Sequence, residues 1–272
     1  MKKQELIFKI IQKKEFSQLP EKDVELAFEK YEKRQVSDEE KIRLTRELLH
    51  KVFSSFTSQK LLSPKNKDEE WILRKHLSTR ERMNVQRLSK NSQTRERLPY
   101  YPELYEKLLV DYKNKEINII DLGAGVNGFS YRYLPKNTNY LGVEAVGQLV
   151  ELMNNYFGRE KLNARAIHES LFDLEKIKKI ILKTKSPRII FLFKVLDSLE
   201  MLERDYSKKL LKEVALLADK VVVSFATQSM VKQRKFKVER YWILNFIKDN
   251  FEILEDFEIG GERYVVFRKD KI

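Results

Sequence analysis

Hydrophobic positions along the chain follow two rhythms. From Met1 to about Val110 they recur at helical spacing, as in Glu25-Leu26-Ala27-Phe28 and in Ile42, Leu44, Leu48, Leu49, Val52 and Phe53, which predicts helices. Ser37-Asp38-Glu39-Glu40 supplies a helix start, with Ser37 as the cap and Glu40 closing a capping box. Pro20, Pro64 and Pro99 punctuate this part. Beyond Asn118 the pattern changes to short β-branched runs: Ile117 to Ile120, Tyr140 to Val143, Ile189 to Phe193, Val221 to Phe225 and Tyr264 to Phe267. Such runs predict buried strands. Helical stretches at Gly147 to Phe157 and Ser207 to Leu217 separate them, and a further strand is expected to end near Ile167. Strands alternating with helices imply a largely parallel sheet covered on both faces. The expected division is a helical domain over residues 1–110 and an α/β domain over 111–272.

Composition narrows the partners. The 272 residues include 54 Lys and Arg against 41 Asp and Glu, a formal net charge of +13, with 42% hydrophobic residues. That is enough apolar material for a core, so a globally disordered chain is excluded. No cysteine is present, which removes a disulfide framework, a Cys-ligated zinc site and a cysteine nucleophile. The start of the chain carries Lys2, Lys3, Lys9, Lys13 and Lys14 without an uncharged apolar core, so it does not read as a signal peptide. No apolar run approaches a membrane span, and the expected location is the cytoplasm, with no membrane partner. The basic balance attracts polyanions and favours nucleic acid as the partner.

The chemistry-bearing motif follows the first predicted strand. Asp121-Leu122-Gly123-Ala124-Gly125 puts two glycines where the sheet ends, so a ligand can lie against bare backbone. Glu144 closes the second predicted strand, at about the 20-residue separation expected of a carboxylate that grips a ribose. The third glycine of a dinucleotide fingerprint is missing, and this form suits S-adenosyl-L-methionine, whose amino-acid part has no pyrophosphate to cradle. Glu169 stands where the third strand should end, placed to accept from the adenine amine, with the Ser170 amide beside it. Asp121, Gly123, Gly125, Glu144, Glu169 and Ser170 are therefore the candidate cofactor residues.

The order of motifs resembles the aminoglycoside-resistance methyltransferases that modify guanine N7 in the decoding site of 16S ribosomal RNA. The resemblance runs from about Asp38 to Lys269. It is carried by Thr94-Arg95-Glu96-Arg97, by Phe191-Leu192-Phe193-Lys194-Val195-Leu196-Asp197-Ser198-Leu199-Glu200, by Val223-Ser224-Phe225-Ala226-Thr227-Gln228-Ser229, and by Gly261-Glu262-Arg263-Tyr264, which is similar to the family's last hairpin. It implies a Rossmann-like class I methyltransferase fold, α/β with a mostly parallel seven-stranded sheet, preceded by an all-helical N-terminal domain that docks RNA. In the family an arginine of a conserved segment pairs with the methionine carboxylate. Two segments here correspond: Asn91-Ser92-Gln93-Thr94-Arg95-Glu96-Arg97, better placed, and His76-Leu77-Ser78-Thr79-Arg80-Glu81-Arg82, closer in its letters. Ser92 and Arg97 are the choice, with Arg82 as the alternative; a guanidinium holds a carboxylate bidentately where an ammonium cannot. Lys194 would sit beside the methyl group. The family's proline after the first strand and its glycine-rich loop after the fifth are both replaced here, the latter by Val231 to Lys237.

Transfer of a methyl group from sulfonium to guanine N7 leaves no proton to remove, so no general base is needed and positioning carries the reaction. His50, His76 and His168 are scattered, and no metal site or catalytic base is expected. Arg74 to Arg97 holds eight Lys and Arg, and Lys232 to Arg240 holds five. Arg74, Lys75, Arg87, Lys232, Arg234, Lys235 and Lys237 are expected to contact phosphates of the 16S rRNA in the 30S subunit, to which a monomer would bind. The rivals are a methyltransferase of another RNA position or of tRNA, and a non-catalytic RNA-binding or assembly protein that retains the fold.

Overall fold

A computed structural model describes residues 2–53, 100–227 and 240–269. It opens with three helices, α1 (Lys3–Ile11), α2 (Glu21–Glu32) and α3 (Asp38–Phe53). The Glu40 N–H donates to the Ser37 hydroxyl at 3.2 Å, as a cap requires, while the Glu40 carboxylate takes up the Arg43 guanidinium. Helix α4 (Tyr101–Leu108) leads into β1 (Ile117–Leu122), β2 (Thr138–Glu144), α5 (Gly147–Arg159), β3 (Ala164–His168), α6 (Leu174–Leu182) and β4 (Arg188–Phe193). There follow α7 (Leu196–Leu202), α8 (Tyr206–Ala215), β5 (Lys220–Ala226), α9 (Tyr241–Asn250), β6 (Glu252–Ile259) and β7 (Glu262–Arg268).

The strands form one seven-stranded sheet in the order β3-β2-β1-β4-β5-β7-β6. The first five are mutually parallel, and β7 runs antiparallel between β5 and β6. Every residue of β1 is buried, as helices on both faces demand of a central parallel strand. Helix α5 buries Leu149, Val150, Met153, Tyr156 and Phe157, a single apolar stripe. On α4, Tyr105 stacks on Phe191 of β4 at 6.2 Å between ring centroids, so this helix is part of the sheet's own packing. The β6–β7 hairpin turns through Gly260 and Gly261, both with positive φ, the conformation of a tight type I′ turn.

Strand order reverses at β1, which has β2 on one side and β4 on the other. A crevice therefore opens beyond the carboxyl ends of these strands. The N-terminal helices roof it. Leu6, Ile10, Phe16, Val24, Phe28, Leu49 and Val52 join one continuous apolar core with the sheet, and α2 and α3 pack on α7. Polar ties hold the roof as well. The Gly147 N–H donates to the Gln18 carbonyl at 3.2 Å, Gln148 Nε2 to the Lys14 carbonyl at 3.2 Å, and Lys22 Nζ to the Phe172 carbonyl at 2.6 Å.

Candidate functional site

Sharp backbone geometry at the end of β1 makes the floor of the crevice. Gly123 and Gly125 have φ of 76° and 54°, a region costly for residues with a Cβ. A Cβ on Gly123 would also come within 2.6 Å of Val195 Cγ2, so the bare backbone is required twice over. Beneath the turn, the buried Asp121 carboxylate accepts from Asn127 Nδ2 at 2.7 Å and from the Tyr140 hydroxyl at 2.8 Å. Tyr101 on α4 donates to Asn127 Oδ1 at 3.0 Å from the other side. Asp121 thus braces the loop from below and does not line the crevice.

Glu144 at the end of β2 does line it. Its Oε2 accepts the Gly125 N–H and its Oε1 the Val146 N–H, both at 2.8 Å, which fixes the carboxylate at the mouth of the glycine turn. Burial pushes this acid above the usual carboxylate range, and the backbone N–H bonds pull part of the way back. Phe172, Phe193, Val195 and Leu199 provide apolar walls, and Asp23, Val52 and Phe53 close the top. Between these walls lies a narrow slot; its space, with the open solvent at its mouth included, comes to about 540 Å³.

Lys194, flagged because it interrupts an apolar strand, has φ of 56° and lines the slot. Its N–H donates to the carbonyl and the hydroxyl of Ser224 on β5, at 3.2 and 3.1 Å. Its ammonium lies 3.5 Å from Glu262 on β7, and the Ser224 hydroxyl donates to that same buried carboxylate. The ends of β4, β5 and β7 are thereby joined. Glu262 stood in the sequence only as a hairpin marker. Glu200, in the same motif as Lys194, accepts the Asp205 and Ser207 N–H groups at 2.6 and 2.9 Å and closes the turn from α7 to α8.

Glu169 and Ser170 lie on the loop after β3, as the strand pattern implies. The Glu169 carboxylate, however, accepts its neighbour's Ser170 N–H at 3.1 Å and pairs with Lys176 at 3.3 Å, away from the slot wall. Ser170 is buried, its hydroxyl accepting the Phe172 N–H at 3.1 Å. Asp23 escaped sequence reasoning altogether. It sits in the first turn of α2, only 2% exposed. Burial pushes its carboxyl up to about 7, with the Glu144 charge adding to the rise and the Ser170 bond opposing it.

Ser92, Arg97 and Arg82 lie outside the described residues, as do Arg74, Lys75, Arg87, Lys232, Arg234, Lys235 and Lys237. Arg240, at the end of the second basic stretch, is described. Its guanidinium pairs with Asp197 at 2.7 Å and donates to the Ala226 carbonyl at 2.9 Å, so it braces α7 against β5.

No family model and no curated protein matches the sequence. Solved structures do match, over nearly the whole chain. The 16S rRNA methyltransferase RmtF, solved in complex with S-adenosyl-L-homocysteine, is 20% identical with a TM-score of 0.74, covering 99% of this chain and 100% of that one. The 16S rRNA methylase RmtB is 17% identical with a TM-score of 0.72, covering 99% of each chain. An rRNA methylase from Escherichia coli is 16% identical with a TM-score of 0.68, covering 98% of this chain and 99% of that one. At these identities the likeness establishes the fold, a Rossmann-like methyltransferase sheet with a helical N-terminal region.

Proposed function

We propose that this chain is an S-adenosyl-L-methionine-dependent methyltransferase of 16S ribosomal RNA, with guanine N7 in the decoding-site helix as acceptor. The observation that carries the reading is the slot at the strand-order reversal, where a glycine turn with no room for a Cβ faces the buried acid Glu144. These residues fit the cofactor: Glu144 has lone pairs left for ribose hydroxyls, the Gly123 backbone admits close approach, and the apolar walls suit an adenine ring. When bound, the cofactor supplies an electrophilic methyl group on a sulfonium centre. Glu144 would hold the ribose, and Lys194, fixed by Glu262 and Ser224, would border the transferred group. Arg97, or Arg82, would bring a guanidinium to the methionine carboxylate, with Ser92 alongside. Guanine N7 offers a lone pair and no proton, so these residues need only orient the two partners.

The target would be bound by its phosphates. A net charge of +13 gives the field, and residues 1–110 act as the docking layer with Arg74, Lys75 and Arg87. Lys232, Arg234, Lys235 and Lys237 would add further phosphate contacts. We place the enzyme in the cytoplasm as a monomer. The full-length likeness to three rRNA methylases supports this choice of substrate. The test is incubation of isolated 30S subunits with the protein and labelled cofactor, followed by mapping of the modified base. Label on a 16S guanine N7 is expected; label confined to tRNA or protein would overturn the substrate assignment.

A further inference from the structure

Asp23 is an acid of the slot with no task in the cofactor reading. It reaches the slot from the helical roof, not from the sheet, and its Oδ2 is buried without a hydrogen-bond partner among the described residues. Lys22, the residue before it on α2, donates to the Phe172 carbonyl, which ties this turn of the helix to the loop after β3 beside Ser170. A desolvated oxygen with no donor is unfavourable, and native proteins seldom keep one without a ligand or a water to satisfy it.

Position identifies the donor. The loop after β3 is where the sequence pattern puts the acceptor for the adenine amine, and Asp23 lies beside that loop at Ser170. The residue expected to face the adenine amine from the sequence, Glu169, is bonded to the Ser170 N–H and to Lys176 instead. Glu144, the other acid in the slot, is claimed by the ribose. The neighbouring wall is apolar and flat, formed by Phe172, Val195 and Leu199. Resting on the methyltransferase reading, we propose that Asp23 accepts a hydrogen bond from the exocyclic amine of the adenine, in the role that strand order assigns to Glu169. The helical layer is then part of the cofactor site as well as its cover.

The charged groups facing Asp23 are Glu144 across the slot, Lys22 beside it on α2, and Lys194 further along the wall. Of these only Glu144 can accept from an amine, and it is assigned to the ribose, so the ligand itself reports the contact. The experiment is calorimetry on the full chain with two probes, S-adenosyl-L-homocysteine and its inosine counterpart, in which a carbonyl oxygen replaces the amine. The wild type is expected to prefer the adenosyl probe by about tenfold or more, the worth of one hydrogen bond to a charged group. Asp23→Ala should weaken the adenosyl probe by a similar factor and bring the preference close to one, while Glu169→Ala keeps the preference. Asp23→Leu, which fills the space with apolar volume, provides the same reading if the alanine variant does not fold. Retention of the preference in either folded Asp23 variant, or its loss in Glu169→Ala, overturns this assignment and leaves the methyltransferase reading standing. A wild type that binds neither probe overturns both.

Discussion

At the amino edge of the sheet, Asn118, Asn139 and Asn163 stand abreast on β1, on β2 and just before β3. Asn139 donates to Asn118 Oδ1 at 3.0 Å and to Glu116 at 2.9 Å, and Asn163 donates to Asn139 in turn. Five residues along β2 from Asn139, at the carboxyl edge, stands Glu144, with Gly123 and Lys194 beyond the ends of β1 and β4 and Asp23 above. One edge carries neutral amides that satisfy one another next to solvent. The other carries buried acids, two glycines with positive φ and a lysine in a left-handed conformation. Strands, register and covering helices are shared, so the difference is not a demand of the fold. Unfavourable groups are gathered where strand order reverses, which is where the proposed cofactor would be bound.

Substitutions at the two edges sharpen this contrast. The largest effect belongs to Glu144→Ala, which strands the Gly125 and Val146 N–H groups in a dry site. At about 1–3 kcal/mol for each unsatisfied donor, the loss is expected to be about 2–6 kcal/mol in denaturant unfolding, with no measurable binding of S-adenosyl-L-homocysteine. A loss below about 1 kcal/mol would show that the carboxyl edge is no more critical than its opposite.

Asp23→Asn should act in the other direction. Its carboxyl is raised from 3.8 to about 7 in the folded chain, so the native state holds its proton more tightly than the unfolded state. Stability of the wild type should therefore fall as pH rises from about 4 to about 7 and level off above. The amide has no such dependence. Relative to wild type it should gain up to about 4 kcal/mol between pH 4 and pH 8, read from unfolding curves at the two values. Parallel pH profiles for the two proteins would remove Asp23 from the set of strained groups. The smallest effect is expected at the amino edge: Asn139→Ala should shift stability by about 0.5–1 kcal/mol and leave the affinity for S-adenosyl-L-homocysteine unchanged.

Much of this architecture was legible in the sequence because it is written locally. Ile117 to Ile120 is β-branched and apolar, Gly123 and Gly125 turn the chain directly after it, and Glu144 falls at the next strand end, so short-range pattern placed the slot. Lys194 stood out as a charge among apolar neighbours. The rest depends on contacts between distant segments. Asp23 reads as an ordinary acid in a helix's first turn after Pro20, and only the laying of α2 against Phe172 and Ser170 makes it a buried group. Glu169 had the right address, but Lys176, presented by the first turn of α6, takes its carboxylate. Asp121 looked like a ligand because it heads the glycine motif, whereas Asn127 and Tyr140 turn it into a brace. Glu262 needed the pairing of β5 with β7 to bring it to Ser224 and Lys194.

The seam between roof and sheet narrows to Gly147. A Cβ there would meet Gln18 Oε1 at 2.6 Å and Gln18 Cβ at 2.9 Å. One added methyl would work as a doorstop, levering the first turns of the chain upward and letting water into the dry compartment below. The lid is seated by what this position lacks.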